Sequence, residues 1–212
     1  MQNKGLSLIG HLAELRKRII LCLAAFFLTA ALSLPLIKPI ISFLRSPARP
    51  YIDKFAFFSP QEIAFVYAKI ALFCGLVISL PVILYQIVKF ILPAIEEKLR
   101  QGVFRFVFFT LTAFIAGGIF GYYFLVPVSL KFLMSLGGVD LIPVISLDKY
   151  TSFILALVLG CGLVFEIPVL AWILTKLNMV SPRLLRQKRK YALAVILILA
   201  AIITPTTDPI NM

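Results

Sequence analysis

Apolar runs of membrane-crossing length, separated by short basic segments, constrain this chain more than any other feature. The first extends from Ile19 to Ile37, directly behind Arg16-Lys17-Arg18. A hydrocarbon core of about 30 Å needs about 20 apolar residues in a helix, so this run can span. Four more follow, over 63–88, 104–126, 150–175 and 191–203. The last is short, at about 20 Å of helix. Backbone groups in lipid must pair within the protein, which for single runs of this kind means α-helix. The expected fold class is all-α: a polytopic membrane helix bundle, one transmembrane domain over 1–212. Composition agrees. The chain is 61% hydrophobic and 14% charged, against about 45–50% and about 25% in soluble domains. The first run is too long for a signal-peptide core and lacks a small-x-small cleavage site, so it reads as a span.

The net charge of +12 would suggest nucleic acid in a soluble protein. Here Lys and Arg gather in the loops, where they anchor spans to an anionic leaflet. The expected partner is the lipid bilayer, and no nucleic acid. The segments before the first span, after the second and after the fourth hold 14 Lys and Arg; the alternate loops hold six. The richer side is expected to be cytoplasmic, with the N-terminus there. Five spans then leave the C-terminus outside, in Asp208-Pro209, a turn with no helix behind it. A sixth, returning span is expected to be missing from the chain as given.

Ordinary site chemistry has little material. Cys22, Cys74 and Cys161 each sit inside an apolar run without CxxC spacing, and read as small hydrophobes. With His11 as the single histidine, neither a zinc site nor a Ser-His-Asp triad can be assembled. No metal, no cofactor and no enzymatic activity are expected.

Four features invite a functional reading. Glu14 is a carboxylate on a strongly basic segment. Fixed carboxylates suit a guanidinium fork, but Glu14 can equally pair with Arg18 at i,i+4 or Lys17 at i,i+3. Glu96 and Glu97 follow Pro93, where acidic residues also suit a helix start. Gly117 and Gly121 have the small-xxx-small spacing that admits a close helix. Glu166 is the one acidic residue deep in an apolar run. It suits a polar groove, a structural hydrogen bond between helices, or the proton or ion site of a secondary transporter.

Several blocks together resemble one family. His11-Leu12-Ala13-Glu14-Leu15-Arg16-Lys17-Arg18 is similar to H-L-x-E-L-R-x-R. Pro81-Val82-Ile83-Leu84-Tyr85-Gln86, with Phe90 and Pro93, is similar to P-V-x-x-Y-Q-x-x-x-F-x-x-P. Phe165-Glu166-Ile167-Pro168-Val169 resembles F-E-x-P-V, and Arg189-Lys190-Tyr191 with Thr204-Pro205 and Asp208 resembles R-x-Y…T-P-P-D. These are the blocks of TatC, the receptor core of the twin-arginine protein translocase, in its order and over nearly the whole chain. The resemblance implies a bundle of the TatC type in the bacterial inner membrane. It implies a receptor that binds twin-arginine signal peptides of folded precursors on the cytoplasmic side. TatA- and TatB-type single-span proteins, and other copies of the chain, would be its partners, with transport driven by the proton-motive force. The signal-peptide residues it implies are Glu14, Arg16, Gln86, Phe90 and Arg100, with Glu96 as the candidate second carboxylate; Glu166 and Asp208 would serve partner docking in the membrane. The family's glutamate before Arg100 is here Leu99; either Glu96, one turn earlier, points the same way, or the site is a weaker one that relies on Glu14 and Gln86.

Overall fold

The computed structural model describes residues 8–52, 54–91, 103–136 and 144–176. Helix α1, Leu8–Ser33, begins well before the apolar run at Ile19. Its 26 residues make about 39 Å of helix. That exceeds a core of about 30 Å, so the polar turns through Arg18 can project beyond the hydrocarbon. A 3-10 turn, Leu34–Leu36, leads into α2, Ile37–Arg45, and a second, Ser46–Ala48, follows. Helix α3, Gln61–Ile91, passes through Pro81 without ending. Helix α4, Val103–Phe120, runs through one π-helical turn, Gly121–Leu125, into α5, Val126–Leu136. Helix α6, Leu147–Lys176, carries Pro168 inside it. Among the described residues the single sheet-like feature is an isolated bridge between Ala56 and Ser146. The run over 191–203 lies outside the described residues.

Among the described residues four stretches are long and apolar enough to cross a membrane: Gly10–Ala48, Gln61–Phe90, Phe104–Leu136 and Leu147–Trp172. Large apolar side chains such as Leu28, Phe104, Phe108, Leu163 and Trp172 point outward. In water such a surface would drive aggregation; in lipid it is the correct exterior.

The chain divides into two compact units: Met1–Phe43 with Ile63–Leu111, and Leu44–Glu62 with Thr112–Met212. In the first, α1 and α3 pack antiparallel. Their crossing is tight at Ala30 and Gly75, where a methyl group on Gly75 would stand 2.7 Å from the Ala30 Cβ. The Thr29 hydroxyl lies 2.9 Å from the Gly75 carbonyl, and buried Ser33 reaches toward the Ala71 carbonyl at 3.4 Å. Small residues at the crossing and hydroxyl-to-carbonyl bonds are the usual cement between helices in lipid, where no hydrophobic drive favours one apolar contact over another.

In the second unit, α4 and α6 pack through small residues. A methyl on Gly117 would stand 2.5 Å from the Cys161 carbonyl oxygen and 2.9 Å from the Gly162 Cα. One on Gly162 would stand 2.7 Å from the Phe114 ring. The close approach that Gly117 and Gly121 suggest in the sequence is therefore real. Cys161 packs against Gly121 and is a free thiol.

The same unit holds a cap built around Tyr150. Its hydroxyl donates to the Leu44 carbonyl at 2.8 Å, and its ring lies 4.7 Å from that of Phe55. The Arg45 guanidinium lies 5.0 Å from the Phe55 ring centre. Ala56 donates to the Ile145 carbonyl at 3.1 Å and accepts from Leu147 at 3.0 Å. Ser146 then caps α6, its hydroxyl accepting from the Asp148 amide at 3.1 Å. Buried Ala48 and Ile52 complete the cap's interior.

Candidate functional site

The end of the first unit where α1 starts and α3 finishes is polar. α1 brings Glu14 and Arg18 to one face because they are four residues apart. The antiparallel crossing at Gly75 sets the register that lays this face beside Gln86. Arg18 Nε donates to Glu14 Oε1 at 3.1 Å, Nη2 donates to the same oxygen, and Nη1 donates to Gln86 Oε1 at 3.1 Å. One guanidinium is thus held by a carboxylate and an amide carbonyl from two helices. A turn further out, the His11 and Phe90 rings stack at 4.7 Å.

Of the residues singled out in the sequence, Glu14, Gln86 and Phe90 come together here. Arg16 is on the same end of α1 and is exposed. Glu96, Arg100 and Asp208 lie outside the described residues, as does Leu99. The i,i+4 pair of Glu14 with Arg18 was visible in the sequence; that Arg18 also reaches Gln86, and that His11 pairs with Phe90, was not. Both depend on helix register, which no local pattern encodes.

Glu166 lies elsewhere, in α6 of the second unit. It is 8% exposed, and its Oε2 has no hydrogen-bond partner among the described residues. Neighbours Phe165 and Ile167 point outward while Glu166 points in, which follows from the 100° step per residue. A buried carboxyl with an unfilled acceptor costs free energy that an apolar residue would not. Among the described residues no group of His, Cys, Asp and Glu could hold a metal ion.

Apolar helices of spanning length, with lipid-ready outer faces and polar residues concentrated at helix ends, define a multi-pass helical membrane protein. Comparison with known proteins is specific. The family Sec-independent protein translocase protein (TatC) matches residues 10–212. The chain is 34% identical to the TatC of Carboxydothermus hydrogenoformans, over 100% of its own length and 87% of that protein's. It is 36% identical to the TatC of Koribacter versatilis, covering 99% of the chain and 79% of that protein. Two crystal structures of the twin-arginine translocase receptor TatC are similar, each 33% identical and covering 93% of the chain. The TM-scores are 0.83, over 88% of the solved chain, and 0.84, over 89%, the latter structure being in DDM. The chain belongs to the TatC family. It is a translocase component of the Tat system, the all-α membrane bundle that its sequence indicates.

Proposed function

We propose that the chain is a receptor for twin-arginine signal peptides, bound where Glu14 and Gln86 converge. The observation that carries this is the guanidinium already held there: Arg18 lies on both acceptors. A peptide arginine has the same fork of donors and takes the acceptors Arg18 now occupies. Phe90 stacked on His11 offers an aromatic wall beside the arginines, and Arg16 keeps the surrounding surface positive. Glu96 supplies the second carboxylate that a pair of arginines requires, and Arg100 belongs to the same site. Glu166 and Asp208 serve the docking of TatA- and TatB-type partners and of further copies, and the proton-motive force drives transport. A buried carboxyl without its full set of partners is a reasonable place for an incoming helix to donate a hydrogen bond. Membership in a protein translocase family favours this over uptake of a small solute through Glu166.

The direct test is binding. A photo-crosslinkable twin-arginine peptide should label the purified chain at α1 or α3, and a twin-lysine peptide should compete poorly. Equal competition by the lysine peptide would reject a site built for guanidinium. Orientation is tested separately. In a chain with Cys22, Cys74 and Cys161 replaced, a cysteine at Ser42 should react with an impermeant thiol reagent added outside, and one at Lys17 should not. The reverse labelling would invert the topology and move the site to the wrong side for a receptor.

A further inference from the structure

Phe57 and Phe58 are 61% and 69% exposed. They are unlike the outward rings on the helices, because they belong to the cap, not to a spanning stretch. The backbone that carries them is tied on both sides. The Phe58 amide donates to Glu62 Oε2 at 2.9 Å, and the Glu62 amide donates to the Ser59 carbonyl at 3.1 Å. Glu62 is in the first turn of α3. On the other side, Ala56 is paired through both its amide and its carbonyl to the segment leading into α6. The two rings are thus bolted between the starts of two spanning helices.

Their depth follows from length. The 31 residues of α3 make about 46 Å of helix. A bilayer with its headgroups is about 40–45 Å thick. Gln86 and Lys89 mark one end of α3 as polar, so its other end, at Gln61, falls in the opposite headgroup region. Only Ser59 and Pro60 separate Phe58 from Gln61. The rings therefore lie within about one helical turn, about 5 Å, of that level. An exposed Phe ring at this level gains by entering the headgroup–acyl boundary, as the Trp, Phe and Leu side chains of interfacial helices do. Arg49, Lys54 and Lys149 are also exposed on this cap and carry charge complementary to lipid phosphate.

We propose that the cap is seated in the lipid interface by Phe57 and Phe58, in the leaflet at which α3 begins. The occupant of this surface is lipid: acyl chain against the rings, phosphate against the cations. The seat fixes the height of the cap, and of the α3 and α6 starts tied to it, relative to the membrane. This inference is independent of what the Glu14–Gln86 corner binds.

The chain has one tryptophan, Trp172. With Trp172→Phe as background, Phe58→Trp places a single reporter in the full chain, and Phe57→Trp a second. Each is reconstituted in phosphatidylcholine–phosphatidylglycerol vesicles with iodide present on both sides, and in parallel in vesicles whose lipids are brominated near the headgroup end of the acyl chain. The brominated lipid should remove most of the emission, and iodide should remove little. Strong quenching by iodide with none by the brominated lipid would place the cap in water and overturn the proposal. Protection from both quenchers would show that protein, such as a second copy, covers the rings, and would overturn it equally.

Discussion

Glu14→Ala is expected to weaken binding of a twin-arginine peptide by about 1–3 kcal/mol, the range for one charged hydrogen-bonding partner. That is roughly fivefold to 150-fold in Kd. Glu14 is the single carboxylate at the corner where α1 meets α3 among the described residues, and Arg18 shows that its geometry accepts a guanidinium. Glu14→Gln keeps the shape and an acceptor but loses the charge, so it should fall between the wild type and Glu14→Ala. Gln86→Leu removes a neutral acceptor and should cost less, about 0.5–1.5 kcal/mol. Binding is read by titration of labelled peptide into detergent-solubilised protein, with thermal unfolding measured alongside. The second measurement matters because Glu14→Ala also strips Arg18 of a partner. A folded Glu14→Ala protein with unchanged affinity would remove Glu14 from the site.

The other large effect concerns assembly. Gly117→Leu should destabilise the second unit by about 3 kcal/mol or more, above the usual 1–3 kcal/mol for overpacking. The reason is what stands in the way. The first added carbon would meet the Cys161 carbonyl oxygen and the Gly162 Cα, and these are backbone atoms of α6. A side-chain tip can rotate aside; a helix backbone moves only if the two helices part. Gly118→Ala is the control. Its methyl would meet the Val158 Cγ1 at 3.6 Å, an ordinary contact, and should leave stability within about 0.5 kcal/mol. Thermal unfolding in one detergent compares the two. Equal melting of both variants would mean that the α4–α6 crossing does not hold the unit together.

Legibility in the sequence divides along physical lines. The all-α membrane class follows from a signal that needs no partner: long apolar runs must be helices in lipid wherever they pack. The Gly117 and Gly121 spacing announces a close approach for the same reason, since a missing side chain is visible in one dimension. The cap is not legible. It depends on Tyr150 meeting a carbonyl at Leu44, and nothing near either residue names the other. Likewise Glu14 with Arg18 is a local pair, but its union with Gln86 depends on how α1 slides along α3. The register is decided by Ala30 and Gly75, far from the site it serves. Arg100 and Asp208 stand on the family pattern alone, and Glu96 on its spacing of one helical turn from Leu99.

The π-helical turn at Gly121–Leu125 has a consequence for how the third spanning stretch tolerates change. Phe114, Gly117, Gly121, Val126 and Leu130 are all buried. In an unbroken α-helix at 100° per residue, Leu130 would be turned about 160° from Phe114. The π turn absorbs one residue and cuts that angle to about 60°. It thus behaves as a lodged insertion, which keeps the two halves of the stretch in phase. A one-residue insertion or deletion in this stretch is therefore expected to be absorbed most easily here, as a change of helical phase and not the loss of a loop.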